Sequence, residues 1–327
     1  MGASDKIIRI LRSYLQGLGL LFTASLLLCP VLTRAQQLPQ FSQYAFNSLH
    51  INPAYAGYKV DPFVQASYRS QFVSFPGSPE TFSITGDMAS RDGSMGFGAS
   101  LLSDRLGASA LQSVLLTYAY RIKTGDRSFL GLGVSAGTSE HSVDGNRLHP
   151  DDATDATIPM ERVNLFIPNI NSGLFFHSET LFAGLSVFNM VGRQNLENQD
   201  VVLAAHNLHY FFQLGGVFDL GVETTFKPSI LIRDDFSGPL SYDINAMFLL
   251  NNRFWVGTSY RSSIRNEGNR KALVVLLDLF VTDYIRFGYA HDFNLTATNN
   301  YRNNSHELSI GYYLGDRVLK GRQNYKF

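Results

Sequence analysis

From residue 63 onward, apolar and polar residues alternate with a period of two, the spacing of a strand whose two faces meet different surroundings. In Leu130–Gly137 one face holds Leu130, Leu132, Val134 and Ala136, and the other Gly131, Gly133, Ser135 and Gly137. Met95, Phe97, Ala99 and Leu101 alternate in the same way with Ser94, Gly96, Gly98 and Ser100. Tyr242, Ile244, Ala246 and Phe248 alternate with Ser241, Asp243, Asn245 and Met247, and Ile285, Phe287 and Tyr289 with Arg286, Gly288 and Ala290. An apolar face backed by a small or polar one is the lipid-out, lumen-in pattern of a membrane barrel.

Such runs predict about fourteen strands of ~10 residues, the length a tilted strand needs to cross a bilayer. Their expected spans are 63–73, 80–90, 94–104, 110–122, 127–139, 168–177, 180–189, 206–219, 222–233, 239–250, 253–263, 271–281, 283–293 and 303–314. Short turns such as His177-Ser178-Glu179-Thr180, Leu250-Asn251-Asn252-Arg253 and Thr282-Asp283 follow the even-numbered strands. Connections after odd-numbered strands are longer, above all 140–167 and 190–205. Strict alternation of short and long is expected of periplasmic turns and external loops, and it puts both mature termini in the periplasm. Three places break the pattern. Tyr210, Phe211 and Phe212 are consecutive, 272–281 is apolar on both faces, and Pro228 falls inside a strand. An apolar inward face needs an apolar partner or ligand within the barrel. A proline needs a place where its missing N–H does no harm.

The N-terminus changes the picture from sheet to exported sheet. Lys6, Arg9 and Arg12 precede an apolar stretch from Leu15 to Leu28, and Thr33-Arg34-Ala35 offers small residues for cleavage, so 1–35 is expected to be a signal peptide. Gln16, Gly17 and Gly19 interrupt the stretch, which argues against a membrane anchor. Leu28 is too large for a lipoprotein site at Cys29, and without Cys29 the mature chain has no cysteine for a disulfide or a thiolate metal site. Formal net charge is zero, with 27 basic and 27 acidic residues, so no electrostatic footprint for nucleic acid is present. Later apolar runs are too short for a spanning helix. An exported chain with 25 Phe, 16 Tyr and 28 Gly and no helical span fits a bacterial outer-membrane barrel.

Between signal and first strand lies an irregular segment, 36–60, whose stretch 38–57 carries Phe41, Tyr44, Phe46, Tyr55, four amides and a turn-favouring Asn52-Pro53 step. Disordered segments are poor in aromatics, so this one is expected to pack, as a plug in the lumen or a periplasmic strap. A barrel of this strand number has a lumen wide enough to need filling. The chain thus divides into signal 1–35, segment 36–60, an all-β transmembrane antiparallel barrel over 61–314 and a tail, 315–327.

The segment also carries a resemblance. Pro39, Gln40, Phe41, Ser42, Gln43 and Tyr44, followed by Ile51, Asn52, Pro53, Ala54, Tyr55, Ala56 and Gly57, resemble the mature N-terminus of the PorP/SprF family of type IX secretion and gliding-motility membrane proteins of Bacteroidota. Further matches are Tyr68-Arg69-Ser70-Gln71, Phe75-Pro76-Gly77-Ser78-Pro79 with Thr81, Phe254-Trp255-Val256-Gly257 with Tyr260-Arg261, and Ser305-His306-Glu307-Leu308 with Gly311-Tyr312. The final strand ends near Leu314 although Phe327 is terminal, a departure from barrels that close on an aromatic. The resemblance implies a non-enzymatic outer-membrane component of the type IX machinery, without cofactor, involved in export or surface anchoring of cargo such as adhesins. Its implied partners are periplasmic-ring or peptidoglycan-binding subunits, secreted surface proteins and outer-membrane lipid. The competing expectation is an outer-membrane channel for small molecules, apolar ones included.

Candidate chemistry is sparse. His141, Asp144, His149, Asp151, Asp152 and Asp155 lack the ligand spacing of a calcium loop and fit a solvated surface loop where a partner could dock. Ser305, His306 and Glu307 alternate in direction along a strand, so they cannot form a relay. Gly131 and Gly133 are followed by no helix and form no phosphate loop. Arg69, Arg261 and Arg286 fall on inward faces with Asp243 and Asp278, where buried charges require partners; Arg121 joins them as a further arginine of a structural network.

Overall fold

The computed structural model describes residues 38–73, 75–148, 161–191, 195–198, 201–205, 207–264, 271–295 and 304–314. The signal 1–35, the tail 315–327, Gln36, and His149, Asp151, Asp152 and Asp155 lie outside the described residues. The first half contributes β1 (Phe63–Ser70), β2 (Glu80–Ala89), β3 (Met95–Leu106), β4 (Ser109–Gly125), β5 (Ser128–Asp144), β6 (Arg162–His177) and β7 (Leu181–Phe188). A small hairpin, β8 (Asn195–Asn198) and β9 (Val201–Ala205), forms a separate two-stranded sheet. The second half contributes β10 (His209–Gly216), β11 (Phe218–Asp219), β12 (Thr224–Asp234), β13 (Ser241–Leu250), β14 (Phe254–Ser263), β15 (Ala272–Phe280), β16 (Ile285–Asn294) and β17 (Ser305–Tyr313).

Sequence neighbours pair antiparallel, β1 pairs with β17, and the sheet closes through β10 and β12. β10 and β11 are one stave: Gly215↔Ser229 and Phe218↔Phe226 lie on a single register line. The barrel therefore has 14 staves. Closure leaves no unpaired edge, the condition for crossing hydrocarbon with strands. Pro228 faces the gap between β10 and β11, where no ladder hydrogen bond is lost for want of its N–H.

Parity along the strands is as the alternation predicts. On β1, Phe63, Gln65, Ser67 and Arg69 are buried inward, while Val64 and Tyr68 are exposed on the outer wall. Leu132, Val134, Phe97, Leu101, Ile244, Phe248 and Phe287 likewise face outward. Burying an apolar outer face in lipid rather than water is what the exposed side chains are for.

Two expectations need correction. The connection from β3 to β4 is only Gly107-Ala108, so the alternation of short and long connections is not strict. Gly107 has φ +59°, the left-handed conformation that a two-residue hairpin requires at its first central position. β4 and β5 have 17 residues each and β6 has 16, so this side of the wall extends well past the ~10 residues a bilayer needs. The loop expected at 140–167 is shortened from both sides, since β5 continues to Asp144 and β6 begins at Arg162. The second correction concerns the path of the segment before β1. β1 begins at the short-turn end, but Leu38–Phe41 sit at the long-loop end of the lumen, beside Leu111, Asp234 and Ser241. Parity of the turns fixes the ends of the strands; it does not fix the path of the irregular segment before them.

Candidate functional site

The segment 38–62 crosses the lumen from the long-loop end to the short-turn end and then enters β1. It consists of three single 3-10 turns, Gln43–Ala45, Ser48–His50 and Pro53–Tyr55. Asn47 and Asn52 cap the second and third, their side-chain oxygens accepting from the N–H of Leu49 and Ala54. Pro53 in the first turn lacks the N–H that such a cap would leave unsatisfied. Every residue from Phe41 to Leu49 and from Ile51 to Gly57 is buried.

One wall of the lumen is cut to the segment's backbone. A Cβ on Gly96 would lie 2.0 Å from the Ala56 carbonyl oxygen, and one on Gly133 would lie 2.2 Å from the Ala54 nitrogen. On Gly173 it would meet Asn52 Oδ1 at 2.1 Å. The glycines of β3, β5 and β6 thus make room for Asn52–Gly57. Asn52 Nδ2 donates to the Leu174 carbonyl at 2.8 Å, Ser186 Oγ donates to the Ile51 carbonyl, and the Gly57 N–H donates to Asp87 at 2.9 Å. Gly57 itself has φ +69°, and its would-be Cβ lies 2.7 Å from Gly96 Cα. No other residue type fits there.

The aromatics of the segment fill what remains. Phe46 packs with Trp255, Val274, Leu276 and Phe280, which answers why β15 is apolar on its inward face. Tyr44 and Ile51 cluster with Phe188, Phe211 and Leu231, accounting for the inward aromatic of the Tyr210-Phe211-Phe212 run. Tyr55 stacks on Tyr58 with centroids 5.0 Å apart and meets Phe175 edge-on at 5.5 Å. Phe41 stacks on His50 at 4.2 Å. Pro39 and Gln40, with Leu38, border a cavity of about 160 Å³ beneath the long-loop end.

The opposite wall holds the segment by charge. Arg69 reaches Asp292 at 2.6 Å and Glu307 at 3.1 Å. Glu307 also accepts from the backbone N–H groups of Ser42 (2.6 Å) and Gln43 (3.1 Å), and Ser42 Oγ donates to Asp292 at 2.8 Å. Gln43 Oε1 accepts from Ser309 Oγ at 2.7 Å, and the Tyr44 hydroxyl accepts from Asn245 at 2.6 Å. Arg261 bridges Asp243 (3.0 Å) and Asp292 (3.4 Å), and Arg233 pairs with Asp243 at 2.6 Å. Three guanidiniums face three carboxylates. Such a set is tolerable out of water only because every charge is matched and hydrogen-bonded. Lower down, Arg286 pairs with Asp278 at 2.8 Å, and Lys227 Nζ donates to the Ala45 carbonyl at 3.0 Å. On the segment, burial and then the charge of Lys59 lower the His50 imidazole to about 4, and burial lowers Lys59 to about 8 against the pull of Asp87.

The structure therefore gathers Ser42, Gln43, Tyr44, Arg69, Arg261 and Glu307 at one centre, and Asn52, Pro53, Ala54, Tyr55, Ala56 and Gly57 at another. Trp255 touches the segment through Phe46, with centroids 6.3 Å apart. Tyr68 and His306 point to the outer wall, and Gln71 donates its backbone N–H to Pro79 at the top of β1. Ser305 faces inward at the rim, where its Oγ accepts from the Phe72 N–H. Arg121 takes a separate position, donating to the Gly93 carbonyl at 3.0 Å. His141 ends on the inner face of β5 and Asp144 caps a 3-10 turn, so these two do not converge. Asp292, Asp87, Lys227 and Asn245 were not singled out by sequence. Inward parity with Arg286, Gly288 and Ala290 marks Asp292, and parity with Ser83 and Thr85 marks Asp87. Among the described residues, no group of three or more His, Cys, Asp or Glu is placed to hold a metal ion.

Against this geometry, the family model described as type IX secretion system membrane protein PorP/SprF matches residues 33–312. No curated protein sequence is significantly similar to the chain. Among solved structures, a monoaromatic hydrocarbon channel, CymD, superposes with a TM-score of 0.52 at 8% identity, covering 84% of this chain and 93% of that one. The Ralstonia pickettii toluene transporter TbuX gives 0.51 at 9% identity, covering 82% and 93%. A Pseudomonas aeruginosa FadL homologue covers 86% and 97% at 12% identity, with a TM-score of 0.47. At these identities the likeness to CymD and TbuX is one of fold.

Proposed function

The chain belongs to the PorP/SprF family of type IX secretion system membrane proteins, and from that premise we propose that it is a non-enzymatic outer-membrane anchor of the machinery, engaging secreted cargo rather than passing solutes. The observation that supports this reading is the filled lumen. A small-molecule channel would have to displace about twenty residues of its own chain bonded to opposite walls before any solute passes, whereas an anchor gains a rigid scaffold from them. The tall wall of β4, β5 and β6 offers surface for a cargo protein such as an adhesin. The short-turn end is the side from which periplasmic-ring or peptidoglycan-binding subunits would make contact.

The channel reading draws on CymD and TbuX, whose descriptions name apolar solutes. It requires the segment to move. Crosslinking in native outer membranes followed by mass spectrometry separates the two. An anchor yields a large secreted protein joined to the loops or lumen, and deletion of 38–57 leaves the barrel inserted but abolishes cargo display. Crosslinks to lipid and neighbouring barrels alone, with uptake of apolar solutes by liposomes holding the purified protein, would overturn the anchor.

A further inference from the structure

Outside the lumen, two imidazoles and a phenol converge on the outer wall. His291 of β16 and His306 of β17 are direct cross-strand partners, and Tyr289 precedes His291 by two residues on the same face. His306 Nδ1 lies 2.8 Å from the Tyr289 hydroxyl and 3.2 Å from His291 Nδ1, and the third side of the triangle, Tyr289 Oη to His291 Nδ1, is 3.4 Å. His306 also faces Ser70 across β1, which in turn pairs with Glu80, so the cluster sits where the outer wall turns polar near the long-loop end.

Hydrogen bonding alone serves this triangle poorly. An imidazole nitrogen carries either one proton or one in-plane lone pair, yet His306 Nδ1 has two polar neighbours within 3.2 Å. A cation above the triangle would serve all three atoms at once. Ligands at 2.0–2.1 Å in a tetrahedron are separated by about 3.3 Å along each edge. The three observed sides fall within about half an ångström of that figure. We propose that Tyr289, His291 and His306 form one face of a tetrahedral site for a transition-metal ion of the zinc–copper class, with the fourth position open to the outside. Imidazole donors suit these ions, and calcium or magnesium would want oxygen ligands instead. The bound ion would tie β16 to β17 at the outer rim, and the phenol would give up its proton on binding.

The test uses full-length protein purified in detergent through a histidine-free tag, stripped with chelator and titrated with Co2+, then with Zn2+ in competition. The expected result is one Co2+ per chain with the intense visible absorption of tetrahedral coordination, displaced by Zn2+. His291→Gln and His306→Gln should each weaken Zn2+ binding at least about tenfold, and Tyr289→Phe should weaken it less and shift the Co2+ band. Heat-dependent gel mobility reports that each variant is a folded barrel. A weak, octahedral Co2+ spectrum in the unsubstituted protein overturns the site whatever the variants do. So does Zn2+ affinity unchanged in the folded double variant.

Discussion

Asp243 shows what single residues contribute here. It is fully buried, accepts from both Arg233 and Arg261, and thereby connects β12, β13 and β14 to the centre that holds Ser42. Asp243→Asn keeps the shape and removes the charge, leaving Arg233 without its carboxylate. Breaking a buried pair from one side costs about 3–5 kcal/mol. The expected outcome is a lowered urea midpoint for unfolding in detergent or vesicles. Arg127 and Glu179 make the internal control: they also touch, but both are exposed at the short-turn end, and Glu179→Gln should cost no more than about 1 kcal/mol. Equal losses in the two variants would mean that the buried network is not what holds the barrel. Inward parity in the sequence places Asp243 and Arg261 on the lumen face, and their pairing is as expected. It does not indicate that Arg69 would take Asp292 and Glu307, because the first stave meets the last two in chain order only once the barrel closes.

At the scale of elements, the strands were legible and the segment was not. A strand's period of two survives any register, so spans such as 241–250 and 285–294 follow within a residue or two from alternation alone. The three 3-10 turns of 38–57 have no period, and their path is set by glycines and carbonyls on distant strands, from Gly96 to Leu174. One group on the segment makes its docking sensitive to acid. His50 is held at about 4 by burial and the charge of Lys59, below its ordinary value near 6.5, so the docked segment binds fewer protons than the released one between those values. Docking is therefore most stable above pH 6.5 and weakens as pH falls towards 4. Trp255, the only tryptophan, reports it through contact with Phe46. Its emission should shift to the red on acidification from pH 7 to pH 4, and the shift should shrink in His50→Gln. Emission that is flat with pH in the intact protein, or an undiminished shift in His50→Gln, would exclude His50 as the titrating group.

For the whole molecule, the route of the segment carries the largest consequence. β1 starts at the short-turn end, and the chain reaches it only after descending the lumen from Leu38 beside Asp234 and Ser241. Long loops of outer-membrane barrels face outward and short turns face the periplasm. The start of the segment should then lie at the cell surface, although the first strand begins on the opposite side. Cys29 is the only cysteine and precedes the segment, so a processed chain offers a clean background for single-cysteine labelling. Leu38→Cys should react with a membrane-impermeant maleimide on intact cells. Asp126→Cys, in the turn between β4 and β5, should react only after the outer membrane is permeabilised. Ala54→Cys, buried against Gly133, should resist in both cases and become reactive only when the segment leaves its groove. Reaction of Asp126→Cys alone on intact cells would invert the barrel. Protection of Leu38→Cys until permeabilisation would instead put the segment's start on the periplasmic side, and the lumen would have to be entered from below.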